Sequence, residues 1–518
     1  MEKNDPAVKK SKSIIDADLQ SRQLATYGMC VMERLAGAAV LIIGMNGLGV
    51  EVAKNIVLAN VRKVTLADDC VASWSDMGSH FYLQPDDMGK TNRADACRRS
   101  IKDVNTGVEV VCCTEPISEE LLAAHDAVCL CDCVCRGAGD ELPFLWDDIC
   151  RRRGVSFIRC EARGVFGYVF DDFTSPGSGG PGMFSVAIEG HAVAHISNSN
   201  PAVVTVENCR RIASKTVRFS GIQGMTELNG TCACIAAQEY VASEGRLLVT
   251  LEGVDSTSMR AYRNGGSMTA APFDTVHSFQ PYRDAWHSNP NSQNNAENWP
   301  LVGDLGQTDH HRGRQCEANG IPNLHLTRML RAAFRTLENC PGRKLHAGNE
   351  EEALALVDDI CRSIHVFDPR DFFFEDEYDA ATGVDDRAAA VQRMRPFFTT
   401  FAMSCAGCLS PVAACVAGIA AQEIIKSVAG LGDPLSQFMF FSFMDVLPQP
   451  LPTFADVAQS NTRYDSHVAV LGARFHSELR ALKVRRPAIA SSRPFSLFVV
   501  MRFSRCASSV RAPRAASS

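Results

Sequence analysis

Between residues 16 and 163 the chain alternates short unbroken apolar runs with stretches whose apolar positions recur at helical spacing. Val40–Ile43 is such a run and ends in glycines, and Val50–Leu58 follows with Ala, Val, Ile and Leu on a helical period. The pattern predicts strand, tight turn and helix. Lys63–Leu66 predicts a second strand. Val128–Cys135 predicts a third, and Phe157–Cys160 a fourth after the helix-like Leu145–Arg153. Strands alternating with helices imply an α/β fold with a mainly parallel sheet.

The period then changes. Residues 164–262 carry a Gly/Pro cluster at Thr174–Gly182 and short β-type runs at Val203–Val206, Thr216–Phe219 and Arg246–Leu251, the pattern of a small all-β domain. From Gly266 to Ile364 the spacing turns helical, above all in Leu324–Leu337 and Glu350–Ile364, while Trp286–Pro300 is an Asn-rich polar loop. Pro396–Gln422 has no charge and is long enough to cross a bilayer. It is rich in small residues, however, and Ser410-Pro411 predicts an N-cap followed by proline at the first helical position. The expectation is a buried helix running to about Lys426 with Gly430 beyond its end, then a strand at Phe438–Phe443.

Composition narrows the class. A chain of 518 residues can bury several cores, and its net charge of −7 gives no basic face for nucleic acid. The 21 cysteines are scattered and the first fifteen residues are charged and polar, so the expectation is reduced thiols in cytosol or nucleus.

The glycine turn carries the chemistry. In Gly44-x-x-Gly47-x-Gly49 the absence of side chains lets backbone approach a phosphate at a helix N-terminus. Asp68 and Asp69 lie about twenty residues on, where dinucleotide and ATP folds place a ribose-binding carboxylate. Spacing alone also admits a nicotinamide oxidoreductase.

The words around these residues decide between them. LQSRQLATYG, GLGVEVAKNIVLANVRKVTLADD, SHFYLQPDDMGKTNRADAC, FSGIQGMTELNG, GIAAQEIIK and RYDSHVAVLG occur in this order. Together they closely resemble the amino-terminal half of ubiquitin-activating enzymes, from about Asp18 to about Leu482, more weakly between Asp284 and Gly348. The resemblance implies a ThiF-like, Rossmann-like adenylation domain at 16–163 and 389–465. It places a β-barrel insertion, the first catalytic cysteine half-domain, at 164–262, and a divergent helical bundle at 266–364. Residues 466–484 then begin a truncated second adenylation repeat, flanked by a disordered 1–15 and a basic, disordered 485–518.

In that family ubiquitin's carboxylate attacks the α-phosphate of Mg-ATP, and an enzyme thiolate then takes the acyl group. Of two homologous repeats only the second turns over ATP, and this chain resembles the first. Asn46 stands where the active pattern has a glycine, and Asp76-Met77-Gly78-Ser79-His80-Phe81 replaces the motif that supplies asparagines and an arginine to the nucleotide. Lys90 falls on one family lysine, while its neighbour is replaced near Asn92-Arg93. Gly44, Gly47, Gly49, Asp68, Asp69 and Lys90 therefore read as a remnant of the nucleotide fold. Arg22 is the expected catalytic contribution, reaching into the partner repeat's phosphates as a planar, permanently charged donor. ATP and Mg²⁺ are expected in the intact enzyme and neither on this chain alone.

The partners that the resemblance implies are ubiquitin or a ubiquitin-like protein, the active adenylation domain and ubiquitin-conjugating enzymes, with no nucleic acid and no membrane, in cytoplasm and nucleus. The alternatives are a regulatory subunit of a SUMO- or NEDD8-activating enzyme and a non-catalytic module that binds ubiquitin-like proteins. No catalytic cysteine is expected here, because Cys113-Thr114 lies in the first sheet unit. No metal site is expected either. Alternate cysteines Cys129–Cys135 share one strand face without a paired knuckle, Cys405-x-x-Cys408 is a lone knuckle, and His310-His311 are adjacent.

Overall fold

The structure, a computed structural model, describes residues 15–482 apart from 17, 132–140, 175–181, 186–189, 208, 210, 213–214, 242–244, 271–275, 288–300, 303–316, 319–320, 339–345, 365–386 and 436. Helices α1 (Ser21–Tyr27) and α2 (Met29–Gly37) lead into strand β1 (Ala39–Ile43). Then come α3 (Gly47–Leu58), β2 (Lys63–Ala67), α4 (Arg93–Val104), β3 (Glu109–Cys113), α5 (Glu119–Ala123), β4 (Ala127–Cys131), α6 (Leu142–Arg153) and β5 (Ser156–Arg163). These five strands are parallel, in the order β5-β4-β1-β2-β3. Every residue of β1 and β4 is buried, which explains their unbroken apolar runs: both sheet faces are covered.

Strand β6 (Phe166–Asp172) returns antiparallel to β5, so it belongs to this sheet although it lies in the segment read as the β-barrel insertion. Of Val128–Cys135, residues up to Cys131 are strand, starting one residue earlier at Ala127, and 132–135 lie outside the described residues. This strand is also the fourth rather than the third, since Glu109–Cys113 forms β3.

Residues Met183–Ser185 (β7) and, in the closed barrel, β8 (Gly190–Ile196), β9 (Val203–Glu207), β10 (Thr216–Ser220), β11 (Cys232–Val241), β12 (Arg246–Glu252) and β13 (Ser267–Ala270) follow. Alternation sends Val204, Val206, Val217, Phe219, Leu247, Val249 and Leu251 into the barrel core. β14 (Val276–Ser278) pairs with β7.

The segment read as helical contributes α7 (Tyr282–His287), the short strands β15 (Leu301–Val302), β16 (Glu317–Ala318) and β17 (Ile321–Pro322), and helices α8 (Asn323–Glu338) and α9 (Glu350–Ile364); α10 (Arg387–Ser404) follows it. It is tied to the sheet through a buried polar knot. Arg159 of β5 lies 2.9 Å from the Glu338 carboxylate and donates to the Tyr282 hydroxyl at 2.7 Å, and the Tyr168 hydroxyl donates to Glu338 at 2.7 Å. Trp286 is fully buried and stacks on Phe438. Ser410–Ala429 forms α11, β18 (Phe438–Ser442) pairs antiparallel with β6, and β15 pairs parallel with β18. Helices α12 (Asp465–Leu471) and α13 (Ala473–Ala481) close the described chain. Residues 477–518 form a unit of their own, described only to 482.

By length and composition α11 is the one helix among the described residues that could span a bilayer. It packs instead against α3, β5 and β6 in the core, and its fully buried Glu423 is held by Lys426 at 2.5 Å and by the Leu435 N–H at 3.1 Å. Its start differs by one residue from expectation. Leu409 is the N-cap, Ser410 is already helical, and the Ser410 hydroxyl donates to the Gly78 carbonyl rather than capping the helix. Gly430 closes it in the left-handed region, φ +65°. The loop within 288–300, the His310-His311 pair and the tail after 482 lie outside the described residues.

Candidate nucleotide-fold site

Strand order reverses between β1 and β4, and in open α/β sheets ligands bind at the carboxyl ends of the strands on such a switch point. The turn after β1 lies there. Gly44 adopts φ +91° and donates its N–H to the Ala67 carbonyl at 2.8 Å. The other two glycines serve close packing of the chain against itself. A Cβ on Gly49 would fall 1.8 Å from the Gly44 carbonyl oxygen, and one on Gly47 would fall 2.1 Å from the Ser79 hydroxyl.

The amides that open α3 are turned inward to a side chain. Asn46 is the extended N-cap, and its Oδ1 accepts from both Leu48 N–H and Gly49 N–H at 3.0 Å. Two of the four free N–H groups at this helix end are thereby satisfied.

Asp68, 2 % exposed, is likewise committed. Its Oδ2 accepts from Met45 N–H at 2.5 Å and Arg93 Nε at 3.0 Å, and its Oδ1 from Cys70 N–H at 2.8 Å and Arg93 Nη2 at 3.3 Å. A carboxylate offers about four acceptor positions, and here all have protein donors. Arg93 is itself buried and bridges on to Asp76 at 3.1 Å, whose carboxylate also accepts from the Ser73 N–H and hydroxyl. Asn92 fixes the approach: it caps α4 through Ala94 N–H and donates to the Asp68 carbonyl at 2.9 Å.

Of the residues singled out from sequence, the structure brings Gly44, Gly47, Gly49 and Asp68 to one place. Asp69 is exposed just past β2, and Lys90 is exposed on the loop before α4. Arg22 lies on α1, exposed, and no ion pair involves its guanidinium among the described residues. Arg93 was visible only as a replaced lysine. The signal that could have found it is a lone arginine 25 residues beyond a buried strand-end aspartate, since a buried carboxylate requires a donor. Cys113 sits partly exposed on β3, and burial pushes the Cys405 thiol up to about 12, far from a reactive thiolate.

His80 completes the wall. It is 2 % exposed, and neither ring nitrogen has a hydrogen-bond partner among the described residues. Burial brings its pKa down to about 4, against the pull of Asp76 and with the help of Arg93. The imidazole is therefore neutral at pH 7. The unfolded chain takes up a proton near pH 6.5 and the folded chain does not until about pH 4, so this residue costs stability as pH falls through that window. The expected cost at pH 5 is about 2 kcal/mol. Urea unfolding at pH 7 and pH 5 checks it: His80→Phe is expected to lose less stability than the parent between the two, and equal losses would refute the assignment.

The ThiF family profile matches residues 20–462. The chain belongs to the ThiF family. Its curated relatives include ubiquitin-activating enzyme E1 1 of Arabidopsis thaliana, 32% identical over 91% of this chain and 39% of that protein. Ubiquitin-activating enzyme E1 1 of Triticum aestivum is 31% identical over 93% of this chain and 42% of that protein. Human ubiquitin-like modifier-activating enzyme 7 is 30% identical over 91% and 42%. This ThiF chain thus spans about two fifths of the length of these relatives. Among solved structures, E. coli MccB with succinimide is similar at 18% identity over 31% of this chain and 50% of that one, with a TM-score of 0.27.

Proposed function

We propose that this chain is the non-catalytic nucleotide-fold half of a ubiquitin-activating enzyme, scaffolding an active adenylation domain and lending Arg22 to that domain's Mg-ATP. The observation that carries the reading is the closure of the turn. Asp68 is saturated by Arg93, Met45 and Cys70, and the first amides of α3 are capped by Asn46. A triphosphate needs several donors aimed at it, and these are committed elsewhere. Arg22, exposed and without an ion pair among the described residues, has a guanidinium available for phosphate oxygens. In the proposed reaction the modifier's carboxylate attacks the α-phosphate at the other domain, pyrophosphate leaves, and Arg22 holds the charge that builds on the outer phosphates. The modifier is ubiquitin or a ubiquitin-like protein, and ubiquitin-conjugating enzymes receive the product, in cytoplasm and nucleus.

Ubiquitin-dependent pyrophosphate exchange tests this. The purified chain is expected to give none above background. Residues 1–482 fused to the remaining three fifths of the Arabidopsis relative are expected to give exchange, lowered by roughly a hundredfold in Arg22→Ala. Exchange by the isolated chain, or a fusion indifferent to Arg22, would overturn the reading.

A further inference from the structure

Behind the glycine turn, on the sheet face that α3 covers, three thiols meet. Cys129 and Cys131 point to the same side of β4, and Cys160 lies opposite Cys131 in the register of β5. Their sulfurs form a small triangle: Cys129 to Cys131 3.6 Å, Cys131 to Cys160 3.4 Å, Cys129 to Cys160 3.9 Å. All three residues have no exposed surface.

The geometry points to a metal site: we propose that Cys129, Cys131 and Cys160 bind one zinc ion as a trithiolate. A centre equidistant from sulfurs at these spacings is about 2.1 Å from each, so zinc–sulfur bonds of about 2.3 Å lift the ion roughly 1 Å above the sulfur plane. The S–Zn–S angles then come to about 105°, close to one face of a tetrahedron, and the fourth corner goes to a small non-protein donor.

Zinc(II) entering as the three thiol protons leave to solvent gives three thiolates and a dication, one net negative charge. Cys131 packs against Gly49 in the first turn of α3, at the positive end of that helix dipole, which favours that charge. The expectation from sequence, that these cysteines are small apolar strand residues, considered β4 alone, whereas Cys160 arrives from another strand. Alternation along β4 supplies two sulfurs and the parallel pairing supplies the third. The ion would staple β4 to β5 under the turn.

The full chain, produced in zinc-supplemented cells and purified in a phosphine reductant, is expected to hold about one zinc per chain by elemental mass spectrometry. Refolding with cobalt(II) is expected to give an intense thiolate-to-cobalt charge-transfer band. Cys129→Ser and Cys160→Ser are expected to lose both signals, while Cys232→Ser, altered at an exposed barrel cysteine, keeps them. Should the serine variants not fold, the parent chain decides alone: zinc must shield Cys129, Cys131 and Cys160, and not Cys232, from alkylation in mild urea. A folded parent without zinc and without the cobalt band, zinc retained in Cys160→Ser, or shielding that bypasses these three would each overturn the site.

Discussion

Replacing Arg93 with methionine is expected to lower the unfolding free energy by about 3–5 kcal/mol, the cost of leaving a buried charge without its partner. Two carboxylates lose their counter-charge at once. Asp68 keeps only the Met45 and Cys70 amides, and Asp76 keeps only Ser73. Both side chains are nearly enclosed, at 1% and 11% exposed, so water replaces little of what is lost. The same substitution with Asp68→Asn is expected to recover part of the loss, since a neutral amide needs no cation. Urea melts of the parent, the single and the double variant measure both numbers. A single variant within 1 kcal/mol of the parent would show that the pair contributes little and does not hold the site closed. Neither variant is expected to acquire ATP turnover, because the Asn46 cap remains.

The second large effect is at Gly49. Alanine there places a methyl carbon 1.8 Å from the Gly44 carbonyl oxygen and 3.0 Å from its carbon, a collision with backbone that no rotamer relieves. The turn or the whole of α3 must shift, and the expected loss is about 3 kcal/mol or more. Gly418 on α11 is the control, because a Cβ there meets nothing within 4 Å. Alanine at 418 is expected to raise stability by about 1 kcal/mol through helix propensity alone. Thermal melts of the two variants should therefore move in opposite directions. A Gly49→Ala chain as stable as the parent would refute the collision with the Gly44 carbonyl.

These expectations separate what could be read locally from what could not. The strand–turn–helix at Val40–Leu58 was legible because its cause is local: an apolar run, glycines, then helical spacing. Barrel strands such as Val203–Glu207 and Arg246–Glu252 were legible because alternation encodes one buried face. Strand β3 escaped because Glu109–Cys113 is short and only partly buried at the sheet edge, so its pattern is weak. Phe166–Asp172 was assigned with the barrel because nothing within seven residues tells which sheet a strand will join. At the site, the types of Asn46 and Asp68 could be read but their partners could not. Whether Asp68 faces a sugar or an arginine depends on where α4 lands, a property of the packed molecule. The trio of thiols is hidden from sequence in the same way.

The pairing of β18 with β6 has a consequence for biosynthesis. Tyr168 and Phe170 leave the ribosome about 270 residues before Phe438 and Phe440, which cover them, an interval of ~10–50 s at ordinary elongation rates. Until then β6 is an aromatic sheet edge without its neighbour, and α11, which roofs the same sheet, is also unmade. The nascent protein thus presents a sticky, half-built layer for that interval, which makes it a natural client for chaperones that shield apolar strand edges.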